Sequence, residues 1–500
     1  MARVRSIADR PALLLGLGVI AAVAAFHLWV TPANPPGYHR DEAALSLNAY
    51  TLSTGLRDED GARLPLFFRS FEDYKSPLYP YLLAGVFKLT GPDATVARGF
   101  SAVLVFAAVV LLGVLARRLT ASNLVAVIVV VTAGLTPWLF ELGRIAIEAT
   151  TQPLFIVLLL LTLERTSRRR RYGAVEGLTT GMLIALVTYS YTGSRLLGPL
   201  LALALLVFAG SGRWRFVISS WVTVLVALAP IGIYAIRHPG ALTARYDATT
   251  IARDGRSGPR LVLEAIGNWL RDIDPWHWAT AGDPAPYIHN GGYGAFYGSI
   301  AILGVAGAVL ILLRERGDLW WRYVLLATLL VPIPAALTVD RFNAIRLAAL
   351  PVFMLVLAIP ALDALTSAAR RSWPARGAVA VLALVMCVQF VQFLDIYRTR
   401  GPARLELFDA GVESLLEAPF VSGEIIYVDY DDRGAQAQAR WQAAERGLPQ
   451  GRIAILPDGG VPPQGSIVFL RFQDCDFACE EVARWEEYRL ARALDPPPSG

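Results

Sequence analysis

Residues 101–118 read SAVLVFAAVVLLGVLARR, sixteen positions without a charge followed by two arginines. With its flanks, such a run is long enough to cross a bilayer core of about 30 Å as a helix. The block that contains it, about 95–116, is one of eleven. The others lie at about 11–32, 121–139, 149–163, 174–192, 196–209, 216–236, 294–313, 321–338, 346–366 and 376–394. Arginines gather in alternate short loops, at Arg117/Arg118, Arg168 to Arg171, Arg213/Arg215, Arg314/Arg316 and Arg370/Arg371. Short cytoplasmic loops favour Lys and Arg. The pattern therefore predicts an all-α polytopic membrane protein of about eleven transmembrane helices, with a cytoplasmic N-terminus and an extracytoplasmic C-terminus.

A twelfth stretch, 77–90, is shorter, carries Pro77 and Pro80, and ends at Lys88 and Gly91. Counting it as a span would move every later arginine cluster outside, so it is expected to lie in or dip into the outer interface. The N-terminal block has two readings. Ala22-Val23-Ala24 offers small residues for signal-peptide cleavage, but the apolar run continues past that point for a full span, and an uncleaved first helix is preferred.

Composition agrees with this frame. Of 500 residues 55% are hydrophobic and 17% charged, and mean hydropathy is +0.47, whereas a soluble domain carries about 25% charged residues. The net charge of +5 sits mostly in the arginine loops, so it reports topology and argues against a nucleic-acid partner. The only lysines are Lys75 and Lys88.

Three polar segments should face outward: about 33–94, about 237–293 and the tail. The expected division is a membrane domain over 1–394 and a small extracytoplasmic α/β domain over 395–500. Ile425–Val428, Ile453–Leu456 and Ile467–Leu470 read as strands, and the alanine-rich stretch Ala435–Arg446 reads as a helix. Cys475 and Cys479 lie in that tail; they either pair, as an oxidising compartment allows, or remain two thiols.

The first polar segment opens His39-Arg40-Asp41-Glu42, continues into an amphipathic stretch Ala43 to Leu56, and ends Tyr74-Lys75-Ser76-Pro77-Leu78-Tyr79-Pro80-Tyr81. Acids here have a plain explanation, because a helix N-terminus favours Asp and Glu. A cation beside a rigid aromatic element at the lipid boundary suits instead a site for a charged lipid head and a sugar. Further turns on the same side carry Arg144 and Glu148, then Tyr189, Tyr191 and Arg195, then Asp340, Arg341, Asn343 and Arg346. Arg144 and Glu148, four apart, would share a helix face and form an ion pair, and a single arginine can snorkel to the interface. Four such turns on one side favour a shared polar site. The segment 237–293 adds Asp272, Asp274, Trp276, His277, Trp278, Asp283, His289 and Asn290; its indoles fit carbohydrate contacts and an interfacial belt equally. Neither histidine has the spacing of a metal motif.

Taken together these elements resemble the polyprenol-dependent membrane glycosyltransferases of the GT-C fold, in particular the bacterial relatives of the protein O-mannosyltransferases and the lipid A aminoarabinose transferases. The resemblance runs over about 11–395. It rests on Asp41-Glu42 after the first block and on Lys75-Ser76-Pro77-Leu78-Tyr79, where the family has a lysine-proline-proline-leucine-tyrosine run from which Ser76 departs. The Arg144/Glu148 turn, Tyr189-Ser190-Tyr191 with Arg195, Gly282-Asp283-Pro284, and Asn343 with Arg346 also carry it. The family implies a lipid-linked sugar as donor, no cofactor and no required metal. It implies an acidic general base in the first loop, Asp41, with its neighbour Glu42 able to hold the role instead and Glu148 as a second acid. Lys75 and Arg346 become candidates for the donor phosphate, and Arg144, Tyr189, Tyr191, Arg195, Asp283 and His289 for the rest of the substrate cavity. The implied location is the outer face of a bacterial cytoplasmic membrane, and the acceptor is unknown. A lipid or polysaccharide transporter is the alternative, disfavoured because transporters show repeats and midplane sites; a non-catalytic envelope scaffold is the other.

The topology has a direct test. A reporter active only outside the cytoplasm, fused after Gly500, is expected to be active; strong signal from a cytoplasm-only reporter at that position would reverse the orientation.

Overall fold

A computed structural model describes residues 10–31, 33–71, 73–252, 258–472 and 475–494. The expected cytoplasmic N-terminus and the last residues of the tail lie outside them. All eleven apolar blocks are helical. Among the described residues, six helices are long and apolar enough to cross a membrane by length and composition: Ala94–Thr120, Trp214–Arg237, Gly298–Glu315, Leu319–Ala336, Leu350–Ala369 and Trp373–Ala403. Shorter apolar helices occupy Leu14–Leu28, Asn123–Leu135, Ala174–Ser190 and Ser194–Phe208.

The chain forms two compact units. One comprises residues up to Val30, Ser101–Arg144 and Glu148–Tyr397; the other comprises Thr31–Phe100, Ile145–Ile147 and the chain from Arg398 onward. This grouping differs from the expected boundary at 394/395, because the first polar segment folds with the tail. Hydrophobic blocks show where helices lie, but long-range packing decides which loop joins which core.

The first unit is a helical bundle whose members differ in what they face. Leu350–Ala369 has 56% of its apolar window buried, whereas the corresponding share in Trp373–Ala403 is 6%. The second helix presents Val381, Leu384, Val388 and Val391 outward. So large an exposed apolar surface is untenable in water and suits contact with lipid. Small residues let the helices approach closely, as is usual where lipid supplies no hydrophobic drive: a Cβ at Gly307 would collide with the carbonyl of Leu357. In the long polar segment, the helix Pro259–Asp272 leaves Val262, Leu263, Ile266 and Leu270 exposed, which fits an interfacial position.

The second unit is built around the helix Arg40–Gly55. The sequence suggested an amphipathic stretch there; the helix is instead buried nearly all round from Glu42 to Ala49. Ala43, Ala44, Ser46 and Ala49 are small enough for neighbours to close on several sides. The helix Leu78–Thr90, the expected interfacial element, packs against it. Between them runs a short antiparallel hairpin, Phe68–Ser70 with Asp73–Lys75.

In the tail, the three strand-like runs pair in parallel, with Ile426–Val428 between Ile453–Ile455 and Ile467–Arg471. The helix between the first two spans Arg433–Glu445, capped by Asp432, whose side chain accepts the N–H of Ala435. Ala435, Ala439 and Ala443 recur every four residues and face the sheet core of Ile426, Val428, Ile467 and Phe469. Two strands escaped the sequence reading: Tyr488–Ala493, antiparallel to Ile467–Arg471, and Cys479–Trp485 at the sheet edge. Arg and Glu interrupt the apolar pattern of both, and in Cys479–Trp485 they guard the sheet edge with charge.

Cys475 and Cys479 form a disulfide, while Cys387 is a free, exposed thiol. In protein extracted without reductant, a membrane-permeant alkylating reagent should modify Cys387 alone; modification of Cys475 and Cys479 would show that the bond is absent from the native protein.

Candidate active site

Asp41 and Glu42 are adjacent on one helix, and their surroundings separate them completely. Helix N-termini leave backbone N–H groups without partners. Here His39 sits at the N-cap: its Nδ1 accepts the N–H of Asp41 at 3.1 Å, and Glu42 Oε2 accepts the N–H of His39 at 3.2 Å. This reciprocal arrangement is a capping box built on an imidazole. Burial lowers the His39 pKa to about 4, against the opposing pull of Asp41. The ring is therefore neutral at pH 7, and its 3.8 Å approach to Asp41 Oδ2 is not an ion pair.

Glu42 is fully buried. Arg98 Nε donates to its Oε1 at 2.9 Å and Arg98 Nη2 to its Oε2 at 2.8 Å; Ala146 N–H is a second donor to Oε1 at 2.8 Å. Arg98 in turn donates to the Pro35 carbonyl at 2.8 Å and lies over the rings of Tyr38 and Phe408. A carboxylate with this set of donors is a structural clamp, with no lone pair left for a substrate proton.

Asp41 keeps 33% of its side-chain surface, and its Oδ1 lies 3.4 Å from Lys75 Nζ. Lys75 also lies 3.4 Å from Asp73 Oδ2. The short hairpin positions this pair of contacts, since Asp73 and Lys75 alternate on one strand and so share a face. The result is an acid, base and acid row at the head of a helix whose dipole favours negative charge. Asp41 can accept a proton and Lys75 can meet an anion. Sequence reasoning singled out Asp41, Glu42 and Lys75 but missed Arg98 and Asp73. Arg98 had a usable signal, since an arginine inside an apolar block calls for a partner.

The remaining candidates belong to the first unit. Arg144 and Glu148 do not share a helix face as expected, because the helix Pro137–Leu142 ends before Arg144 and a 3₁₀ turn begins at Glu148. Arg144 is buried, donates to the Phe26 carbonyl at 3.1 Å and stacks over Phe140. Glu148 is also buried. Tyr189 donates to the Ala227 carbonyl at 2.8 Å and Arg195 to the Leu242 carbonyl at 3.2 Å, while Tyr191 is half-buried.

Asp283 joins two turns, accepting the N–H groups of Ala285 and Ala344 at 2.8 and 2.7 Å, and burial pushes its pKa up to about 6. Arg346 pairs with Asp340 at 2.7 Å and also donates to Thr338. His289 is buried beside Tyr293 and accepts the N–H of Gly291. Trp278 is buried and bound to the Asp272 carbonyl, whereas Trp276 is exposed, so only the second suits an interfacial belt. Glu141, absent from the sequence reading, accepts from Tyr293 and Asn290 at 2.8 and 2.9 Å. A cavity of about 940 Å³ opens elsewhere in this unit, at the arginine-bearing helix ends between Glu164, Arg168, Arg213 and Trp320, and contains none of the selected residues.

Residues 74–234 match the family model of the dolichyl-phosphate-mannose-protein mannosyltransferases. That stretch includes Lys75, Arg144, Glu148, Tyr189, Tyr191 and Arg195 and begins after Asp41 and Glu42. No curated protein matches the chain in sequence. Among solved structures, ArnT from Cupriavidus metallidurans bound to undecaprenyl phosphate aligns at a TM-score of 0.60 with 13% identity, over 96% of this chain and 98% of that chain. The apo oligosaccharyltransferase of Archaeoglobus fulgidus aligns at 0.53 with 15% identity, over 85% of this chain and 64% of that one. At these identities the likeness is one of fold.

The contrast between the two acids can be measured as stability. Arg98→Ala strands a buried carboxylate and should cost about 3–5 kcal/mol, whereas Asp41→Asn, at a part-exposed pair, should shift stability by no more than about 1 kcal/mol. Chemical denaturation in detergent reads both, and an Arg98→Ala protein as stable as wild type would remove the clamp.

Proposed function

We propose that this multi-pass membrane protein of GT-C fold is a glycosyltransferase that moves a sugar from a polyprenyl-phosphate donor to a hydroxyl-bearing acceptor. The proposed setting is the outer face of a bacterial cytoplasmic membrane. The observation that carries the reading is the part-exposed Asp41–Lys75 pair at the head of the Arg40–Gly55 helix. The neighbouring Glu42 is withdrawn into a clamp, which supports Asp41 as the base in this reading. The similar fold of a protein solved with undecaprenyl phosphate supports a polyprenyl phosphate as the lipid carrier.

In this proposal the acceptor oxygen attacks the anomeric carbon while Asp41 takes its proton, because a neutral hydroxyl is a poor nucleophile. The bond from the anomeric carbon to the phosphate oxygen breaks, and the polyprenyl phosphate leaves as a monoester with one more negative charge than the donor phosphodiester carried. Lys75 meets that developing charge. Proton and charge balance through these groups without a metal. Arg346, already engaged by Asp340 and Thr338, is assigned to ordering its own turn.

The test is purified protein supplied with a panel of labelled polyprenyl-phosphate sugars, reading release of the lipid phosphate. Asp41→Asn should lower turnover by about 100- to 10,000-fold with donor binding retained, and Lys75→Ala should weaken donor binding. Release from none of the donors by wild type, or an Asp41→Asn protein at wild-type rate, would defeat the proposal.

A further inference from the structure

Asp409 lies in the tail, just before the helix Val412–Ser422, and only 3% of it is exposed. Its Oδ2 accepts the backbone N–H of Arg40 at 3.0 Å and the Gln438 side-chain amide at 2.8 Å. Gln438, on the helix Arg433–Glu445, also donates to the carbonyl of Tyr38 at 2.7 Å. The Arg40 guanidinium donates to Glu487 at 3.2 Å, and Glu487 also binds Arg471. The backbone on both sides of His39 is thus tied to one carboxylate and one amide of the tail, immediately before Asp41.

A first-turn N–H needs an acceptor, but water or a local side chain normally supplies it. Here the acceptor is a buried carboxylate whose Oδ1 has no hydrogen-bond partner among the described residues. Burial raises its pKa to about 6, against the stabilising Arg40. A buried charge of this kind is an expensive way to satisfy one N–H, and the expense is intelligible if the orientation of the helix head matters.

We infer that Asp409, oriented by Gln438, is a positioning residue that fixes the first turn of the Arg40–Gly55 helix and so holds the Asp41 carboxylate against Lys75. The tail is therefore a working part of the site. The inference rests on Asp41 being the base, but its geometric core is tested without turnover. Lys75 and Lys88 are the only lysines, so acylation by an amine-reactive ester, followed by mass spectrometry, reports on Lys75 with Lys88 as internal reference.

The full chain in lipid nanodiscs is compared with Asp409→Ala, Asp409→Asn and Gln438→Ala. Asp409→Ala should raise Lys75 labelling roughly tenfold, the order expected for losing a hydrogen bond to a charged group, with Lys88 unchanged. Asp409→Asn, which keeps an acceptor oxygen for Arg40, should stay near wild type. On active donor, Asp409→Ala should lower kcat and leave the donor KM alone. If Asp409→Ala does not fold, Gln438→Ala gives the same comparison. Unchanged Lys75 labelling in the folded variant, or an equal rise at Lys75 and Lys88, overturns the inference. Failure of wild type to use any donor would defeat the glycosyl-transfer reading and leave the labelling result standing.

Discussion

The Glu42–Arg98 pair organises everything around the candidate site. One carboxylate draws together the N-cap at His39, the head of the helix Ala94–Thr120, and the isolated strip Ile145–Ile147, which joins this unit through the Ala146 N–H. Two charges taken out of water are stabilising only when their hydrogen bonds are complete; Glu42 has four donors, and Arg98 adds a carbonyl and two aromatic faces. The arrangement is all-or-none. With it intact, the helix begins at a defined residue and places Asp41 one position before the clamp, on the side left open.

This division of labour between neighbours explains why an Asp-Glu pair is informative. Successive helix residues point about 100° apart, so one can face the core while the next faces a cavity. The buried member spends its charge on structure, whereas the part-exposed member, against Lys75, is the one proposed for chemistry. The sequence favours Asp41 as the base but does not show which of the two points into a cavity; their surroundings differ through Arg98, fifty-six positions from Glu42.

Much of the architecture was legible in the chain. Apolar blocks near twenty residues must be helices, because in lipid every backbone group has to be satisfied within its own segment, and all eleven are helical. The tail strands Ile426–Val428, Ile453–Ile455 and Ile467–Arg471 were visible because β-branched residues cluster there. What escaped has a common cause. Arg98, Asp73 and Asp409 matter through partners distant in sequence or in short irregular segments, and no local period marks them. The expected Arg144–Glu148 helix face failed because the helix stops at Leu142, and the chain turns there to send Ile145–Ile147 into the other unit.

The bond from Arg40 to Asp409 spans 369 residues, and this has a consequence for how the protein comes into being. The helix that bears Asp41 leaves the ribosome well before its anchor does. At translation rates of about 5–20 residues per second, the intervening chain takes on the order of twenty seconds to more than a minute to appear. Through that interval the nascent chain has its acid and its lysine but not the partner that orders them. A ribosome that stalls, or a message cut short before residue 409, leaves a product inserted in the membrane with an unassembled site.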